Sequence, residues 1–312
     1  MTSLARAEEI LRAACGDRLR TSFSLAPLTT FRIGGPAALF LEPESSADLH
    51  AVARTVQETA IPVVVLGKGS NVLVSDDGVR GLVLRLGRSF GWASRDGDRL
   101  SAGSAKPLPS FANVALQHGL AGLEFGVAIP ASLGGAVRMN AGAHGHSLQE
   151  VVESVEVFML GEGRTATVSA DDAGFAYRST SFADDAVVIA ATVRLHPGDR
   201  TEIRALMDEA REWRRRTQPL AEPNCGSVFT NPPDDHAARL VEGAGAKGLR
   251  VGGVSVSTKH SNFIVADAGA SASDVLSLIG RVRELVAERS GIELELEVRL
   301  VGAIAGDRPA AR

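Results

Sequence analysis

Apolar residues recur at helical spacing in some stretches of this chain and alternate with polar ones, or run together briefly, in others, so the pattern predicts a mixture of helices and strands. Leu4, Ala7, Ile10, Leu11 and Ala14 share one side of a segment whose other side carries Arg and Glu, which predicts a helix over 4–19. After Pro27, T-T-F-R-I-G-G and A-A-L-F-L-E-P read as two short strands hinged at Gly34 and Gly35, and Ser45 and Ser46 introduce a helix over 47–59. Pro62 to Leu66 is a β-branched apolar run that stops at G-K-G-S-N, and Val72 to Val74 resumes it before a turn at Asp76, Asp77 and Gly78. Two or three more strands fill 81–104 and a helix covers 109–118. The stretch from Gly119 to Gly145 is too rich in Gly and small residues to be regular throughout, and loops of that length inside compact domains are usually functional.

Alternation returns from Val151 to His196 as antiparallel strands, interrupted by A-Y-R-S. It gives way at Pro197 to a charged helix over 201–216 ending in R-E-W-R-R-R, after which four prolines between 219 and 233 mark irregular chain. A helix near 235–243, strands near 253–265, a helix from Ser273 to Ser290 with Val275, Leu278, Ile279, Val282 and Val286 on one face, and a final strand over 292–301 complete the pattern. The change of pattern over 197–217 marks the main domain boundary.

Composition narrows the role. At 312 residues the chain holds two domains or three. With 33 Lys and Arg against 37 Asp and Glu, the net charge of −4 argues against a nucleic-acid or polybasic membrane partner. No apolar run is long enough to span a bilayer and the charged amphipathic start is not a signal sequence, so a cytoplasmic protein without membrane insertion is expected. Cys15 and Cys225 stand far apart, without the spacing of a disulfide framework or zinc ribbon. The 33 glycines cluster in short runs, as expected where backbone approaches a ligand closely.

Two nucleotide signatures fail in context. G-E-G-R-T-A at Gly161 follows a strand but opens no helix, and reads as a hairpin turn. G-K-G-S at Gly67 lacks the P-loop order, because Gly69 follows the lysine and Pro62 stands where a glycine is needed. G-K-G-S-N is either a backbone anion nest or a plain tight turn, and the 127–143 loop has the same character. Arg211, Arg214, Arg215 and Arg216 form either a solvated helix face or an anion site. His144 and His146 have no third ligand at suggestive spacing, so no metal is expected. Cys225 reads as a packing residue, and Glu293, Glu295 and Glu297 alternate on a strand and would ordinarily face solvent.

Seven blocks in register nevertheless carry a resemblance: T-T-F-R-I-G-G at Thr29, L-G-K-G-S-N-V-L-V at Leu66, G-L-E-F to M-N-A-G-A-H-G over 122–145, Y-R-S at Tyr177, C-G-S-V-F-T-N-P at Cys225, K-H-S-N-F-I-V at Lys259 and L-E-L-E-V-R-L-V-G at Leu294. Together they resemble the UDP-N-acetylenolpyruvoylglucosamine reductase (MurB) family of peptidoglycan precursor synthesis, in its shorter type II variant. The resemblance implies an α+β protein: a FAD-binding, PCMH-type (vanillyl-alcohol-oxidase-like) domain of two α/β subdomains plus a smaller α+β substrate-binding domain. The expected bounds are 1–200 for the first, with subdomains at about 1–85 and 86–200, and 201–296 for the second. The last strand, about 297–305, returns to the first subdomain, and 306–312 is a disordered tail.

The family further implies noncovalent FAD at Gly67, Lys68, Gly69, Ser70, Asn71, Ile129, Ser132, Gly134, Gly135 and Ala141, with NADPH as co-substrate. Arg178, Ser227 and Glu297 match its catalytic positions, as enolate-stabilising cation, proton donor and assisting carboxylate, while Tyr177, Arg215 and Asn231 are expected at the UDP-sugar. Partners are then small molecules, and the protein a monomer or weak dimer. Ala128 and Ala131 replace the family's usual glycines, so the backbone there must avoid positive φ or carry strain. The rival readings are a FAD-dependent small-alcohol oxidase on the same scaffold and a UDP-sugar sensor that has lost catalysis.

Overall fold

A computed structural model describes residues 2–302 of the chain. From the N-terminus it runs α1 (Ser3–Cys15), β1 (Leu19–Ser24), β2 (Pro36–Leu41), α2 (Ser46–Thr59), β3 (Val63–Val65), β4 (Val72–Val74) and β5 (Val79–Leu84). It continues through β6 (Ala93–Asp96), β7 (Arg99–Gly103), α3 (Leu108–Gln117), β8 (Leu120–Ala121), α4 (Leu133–Arg138), β9 (Gly142–Ala143), β10 (His146–Ser147), β11 (Val152–Met159), β12 (Arg164–Ser169) and β13 (Ala186–Arg194). The remainder is β14 (His196–Pro197), α5 (Arg200–Thr217), α6 (Ala237–Gly243), β15 (Arg250–Val251), β16 (Val254–Val256), β17 (Ile264–Ala266), α7 (Ala272–Ser290) and β18 (Arg299–Val301). The expected tail, 306–312, and the far end of the expected last strand lie outside the described residues.

The chain forms two compact units. The first holds the chain up to Thr21, Leu39–Lys68 and Gly81–Arg214; the second holds Ser22–Ala38, Gly69–Arg80 and the chain from Arg215 onward. This division differs from one boundary near 200, because Phe31, Ile33 and Leu73 share a buried cluster with Val254, Val275, Leu278 and Val282 from the C-terminal third.

In the first unit, α1 and α2 cover strand residues Leu39, Leu41, Leu82 and Leu84 with Ala7, Leu11, Leu49 and Val52. An antiparallel sheet in the order β12-β11-β13-β7-β6 builds a second core, to which α3 and α4 contribute Phe111, Ala112, Leu133 and Val137. G-E-G-R is the turn of the β11–β12 hairpin, with Met159 opposite Arg164. The Gly-rich stretch is irregular except for the two-residue strands β8 and β9, a 3₁₀ turn at Glu124–Ala128 and the six residues of α4. Neither Ala128 nor Ala131 has positive φ, so that loop takes its course without left-handed backbone at the two departures from the family pattern.

In the second unit β15-β16-β17 forms a small antiparallel sheet packed by α6 and α7, and β18 pairs in parallel with β4, Leu300 opposite Leu73. Three expectations are corrected here. The N-terminal helix stops at Cys15, because Gly16 takes a φ of 59° and its N–H donates to Arg12 O, which frees Leu19–Ser24 to become a strand. T-T-F-R-I-G-G is a turn: Thr29 Oγ1 lies 3.1 and 3.2 Å from the Ala26 and Ile33 carbonyl oxygens, and Arg32 is left-handed. At Gly35 an added Cβ would lie 2.1 Å from Asp76 O, so the chain crosses the 76–78 turn where a side chain is excluded. The final strand is confined to Arg299–Val301, and Leu296 makes only an isolated bridge to Phe229.

One polar contact is central to the packing of α2. Asp48 completes a capping box with Ser45, accepts from the Glu44 N–H at 2.8 Å, and takes a fork of hydrogen bonds from Arg18 at 2.5 and 2.7 Å while being buried itself. The Arg18 guanidinium holds its carboxyl down at about 2. A depressed folded-state value contributes stability that is complete above the unfolded value and fades as pH falls from about 4 toward 2. Asp48→Asn is therefore expected to cost roughly 2 kcal/mol at pH 7. Urea denaturation at several pH values should show the gap from wild type closing below pH 4, whereas a gap constant with pH would rule the charge out as its source.

Candidate functional site

The first unit encloses a cavity of about 260 Å³. One wall is Val65, Leu66, Gly67 and Lys68, where β3 ends, with Arg85 and Leu86; the other is Ser104, Ala105, Ser132, Gly134, Gly135, Arg138, Asp184, Ala186 and Val188. The backbone approaches closely at two points where side chains are missing, between the walls at Gly67 and within the second wall at Gly134. A Cβ on Gly67 would lie 2.5 Å from Ser132 Oγ, and one on Gly134 would lie 2.8 Å from Ser104 Cβ. Ser132 caps α4, its Oγ accepting from Gly135 N at 3.3 Å, so the turn that carries Gly134 and Gly135 is fixed by the same residue that faces Gly67.

This geometry suits the cofactor implied by the resemblance. The cavity carries Lys68, Arg85 and Arg138 against the single carboxylate of Asp184, a balance appropriate to a diphosphate. Its wall also holds the one buried side-chain oxygen or nitrogen among the described residues that lacks a hydrogen-bond partner, Ser104 Oγ. Among the residues expected at FAD, Gly67, Lys68, Ser132, Gly134 and Gly135 line the cavity. Ile129 and Ala141 do not; they pack against the core of the first unit. Ser104 and Arg138 were missed, since an S-A-K-P segment and an arginine within A-V-R-M resemble ordinary loop and helix.

Gly69, Ser70 and Asn71 belong to the second unit and are tied to other site candidates there. Asn71 Nδ2 donates to Glu297 O at 3.1 Å and Asn71 O accepts from Arg299 N at 3.0 Å. Gly226 passes Ser70, with an added Cβ 3.6 Å from Ser70 O, and Glu297 N donates at 2.9 Å to the carbonyl of Val228, next to Ser227. The backbones of Asn71, Ser227 and Glu297 are thus drawn together. Glu297 is half-buried while Glu293 and Glu295 are exposed, which singles it out from the alternating trio. Asn262 was missed: fully buried, it accepts from Phe229 N at 2.9 Å, donates to Phe229 O at 2.8 Å and fixes the strand-like run that follows Ser227. Its place in the K-H-S-N-F-I-V block was its only signal.

Cys225 is buried, and burial first and the Glu297 charge second push its thiol up to about 12, so it remains a neutral packing group. Asn231 accepts from Ala237 N at 3.0 Å, so the residue expected at the diphosphate spends its carboxamide oxygen on the first turn of α6. Arg215 is exposed and its carbonyl accepts from Lys259 Nζ at 2.7 Å. Arg214, by contrast, is half-buried, and desolvation lowers its guanidinium pKa.

Arg178 lies in the first unit. It occupies the third position of a tight turn closed by reciprocal Ala176 and Ser179 backbone hydrogen bonds, and has a φ of 56°, where glycine is usual. Its guanidinium sits 4.9 Å from the centroid of the exposed Tyr177 ring, and Nη2 donates to Gly142 O at 3.5 Å. His144, at the tip of the β9–β10 hairpin, meets the Trp213 ring edge-on at 5.1 Å, and His146 Nδ1 lies 2.7 Å from Glu150. Among the described residues no group of three or more His, Cys, Asp or Glu is placed to hold a metal ion.

Two family models match successive parts of the chain. A family model described as FAD binding domain matches residues 37–169, and one described as UDP-N-acetylenolpyruvoylglucosamine reductase, C-terminal domain, matches 218–301. A UDP-N-acetylenolpyruvoylglucosamine reductase from Anaeromyxobacter dehalogenans is 46% identical over 95% of this chain and 89% of its own, and one from Heliobacterium modesticaldum is 47% identical over 89% of both. The crystal structure of the Thermus caldophilus reductase superposes with a TM-score of 0.79 at 35% identity, covering 91% of this chain and 98% of its own. A BBE-like protein from Physcomitrella patens, 12% identical with a TM-score of 0.57 over 92% of this chain and 90% of its own, shares the fold alone.

The tightness of the cavity is open to test. Gly67→Val places branched carbon against Ser132 and is expected to leave the purified protein with a small fraction of the wild-type flavin, read as the ratio of flavin to protein absorbance. Full flavin content in that variant would show that the close approach of Gly67 to Ser132 is not needed to hold the cofactor.

Proposed function

The chain belongs to the UDP-N-acetylenolpyruvoylglucosamine reductase family, and on that premise we propose how its residues divide the work of reducing the enolpyruvyl group to give UDP-N-acetylmuramate. It is a FAD-dependent oxidoreductase of peptidoglycan precursor synthesis with NADPH as co-substrate. The chemistry that FAD supplies when bound is a hydride relay from NADPH to the vinyl carbon C3 of the substrate.

Gly67, Lys68, Ser132, Gly134 and Gly135 hold the cofactor by backbone approach in the first unit. Arg178 donates to the substrate carboxylate. As hydride reaches C3, negative charge spreads from C2 onto that carboxylate, and the guanidinium fork strengthens its hold as the charge grows. Ser227 gives its hydroxyl proton to C2, and the alkoxide left behind takes a proton back from solvent. A hydroxyl is a weak acid, so the transfer depends on the strongly basic enolate it meets, and Glu297 assists in polarising that enolate. The neutral Cys225 thiol beside Ser227 takes no part. Tyr177 and Arg215 border the UDP-sugar, and Asn231, whose carboxamide oxygen is engaged by α6, contributes through its NH₂ group.

The observation that carries this assignment is the left-handed backbone of Arg178. A non-glycine residue in that conformation costs on the order of 1 kcal/mol, and strain of this kind persists where the side chain's direction matters more than the backbone's comfort. Among the described residues no helix is long and apolar enough to cross a membrane. We place the enzyme in the cytoplasm as a monomer or weak dimer, acting on small molecules.

The test separates the two half-reactions under anaerobic conditions. Ser227→Ala is expected to retain reduction of the flavin by NADPH and to slow its reoxidation by UDP-N-acetylenolpyruvoylglucosamine roughly 100-fold or more. Two wild-type half-reactions in that variant would refute the proton-donor role. A wild-type flavin reoxidised by air but not by the enolpyruvyl substrate would instead favour an oxidase.

A further inference from the structure

A buried hydroxyl without a partner is uncommon, because leaving its hydrogen-bonding capacity unused costs free energy that a neighbouring group or solvent normally recovers. Ser104 is 3% exposed, its Oγ has no partner, and it lies on the cavity wall. Its backbone is fixed on both sides: the N–H donates to Ile189 O at 3.0 Å, and the carbonyl accepts from Gly134 N at 3.0 Å. The backbone that carries the hydroxyl is thus fixed, and Oγ lies 3.0 Å from where a Cβ on Gly134 would sit, on the strip of wall that has no bulky side chains.

Four residues further along α4, and so on the same helix face as Gly134, stands Arg138. It too lines the cavity; Nη1 donates to Ala183 O at 2.8 Å, and Nη2 lies 3.6 Å from Asp184 Oδ1, a carboxylate so exposed that it neutralises little of the charge. A fixed neutral donor and an oriented cation on one wall form an acceptor site for phosphate oxygens. We propose that the Ser104 hydroxyl and the Arg138 guanidinium together hold the diphosphate of FAD. This rests on the FAD reading above and adds two residues to it.

Ser104→Ala deletes an atom that bonds to nothing in the protein, so the apoprotein should melt no lower than wild type. A purely structural role would lower it. FAD affinity, titrated into apoprotein by quenching of flavin fluorescence, should fall roughly 10-fold in Ser104→Ala and roughly 10- to 100-fold in Arg138→Gln, the latter also losing part of its dependence on salt. ADP, which carries the diphosphate without the flavin, should lose affinity as a competitor by a similar factor in both variants.

Unchanged FAD affinity in Ser104→Ala would overturn the proposal, as the hydroxyl would then be satisfied by water alone. Weaker FAD with unchanged ADP would overturn the diphosphate assignment. Wild-type apoprotein that takes up no FAD would defeat the underlying cofactor reading, a failure distinguishable from either.

Discussion

The site depends on a spacing constraint: stretches of backbone in the first unit must meet closely at the edge of the cavity, at points where any side chain would intrude. Gly67 and Gly134 satisfy it directly, since at each a single added carbon would come within 2.8 Å of a serine on the opposing or adjacent chain. The rest of the first unit serves to hold these stretches. Strand β3 pairs in parallel with β5 and delivers Gly67 at its end, while β7 and β13 fix Ser104 and Val188 on the other wall through an antiparallel register. Rigid elements thus carry flexible residue types to the point of approach, and their rigidity keeps the cavity from collapsing.

The second unit applies the same device to a different end. Gly35, Gly78 and Gly34 let the N-terminal turn, the 76–78 turn and Val74 pass within distances that any side chain would block. That crossing brings Phe31, Ile33 and Leu73 into one core with α6 and α7. Asp76 reinforces it by accepting from the Ala272 and Ser273 N–H groups, where the start of α7 offers unpaired donors. The consequence for chemistry is local: the turn bearing Gly69 to Asn71 is pinned by Thr30 N donating to Gly69 O, and Thr30 Oγ1 donates at 2.7 Å to Asn224 O, three residues before Ser227. T-T-F-R-I-G-G therefore ties together two of the blocks that carry the family resemblance.

How much of this was legible depends on the range of the forces involved. Elements set by local periodicity were read closely: α2 with its Ser45 cap, α3, α7 and the hairpin at Gly161 all lie within a few residues of their expected bounds. Elements cut short or bent by one local contact, or decided by a distant partner, were not. Gly16 ended α1 early, Thr29 folded an apparent strand into a turn, and the apparent strand over 292–298 found only one bridge because its neighbour, the run after Ser227, is irregular. The site divides in the same way. Glycines announced the cavity because their cost in chain entropy demands a reason, whereas Ser104 and Arg138 announced nothing, their significance lying in an absent partner and a shared helix face that exist only after folding.

Arg178 shows why residue identity and conformation must be read together. In sequence Y-R-S is a short polar link between strands, and only the family resemblance singles out its arginine. In the folded chain it is a two-residue turn whose second residue pays for a left-handed backbone with no glycine to relieve it. Asn140, itself left-handed and almost fully buried, donates to the carbonyl of Ala176 at 3.0 Å and to Gln149 Oε1 at 2.9 Å, so a strained residue in the Gly-rich loop braces the first residue of the strained Arg178 turn. A glycine at 178 would ease the turn and remove the guanidinium; an arginine on relaxed backbone would point elsewhere. The fold keeps the strain and supports it from a buried neighbour, which fixes the direction in which the side chain leaves the backbone.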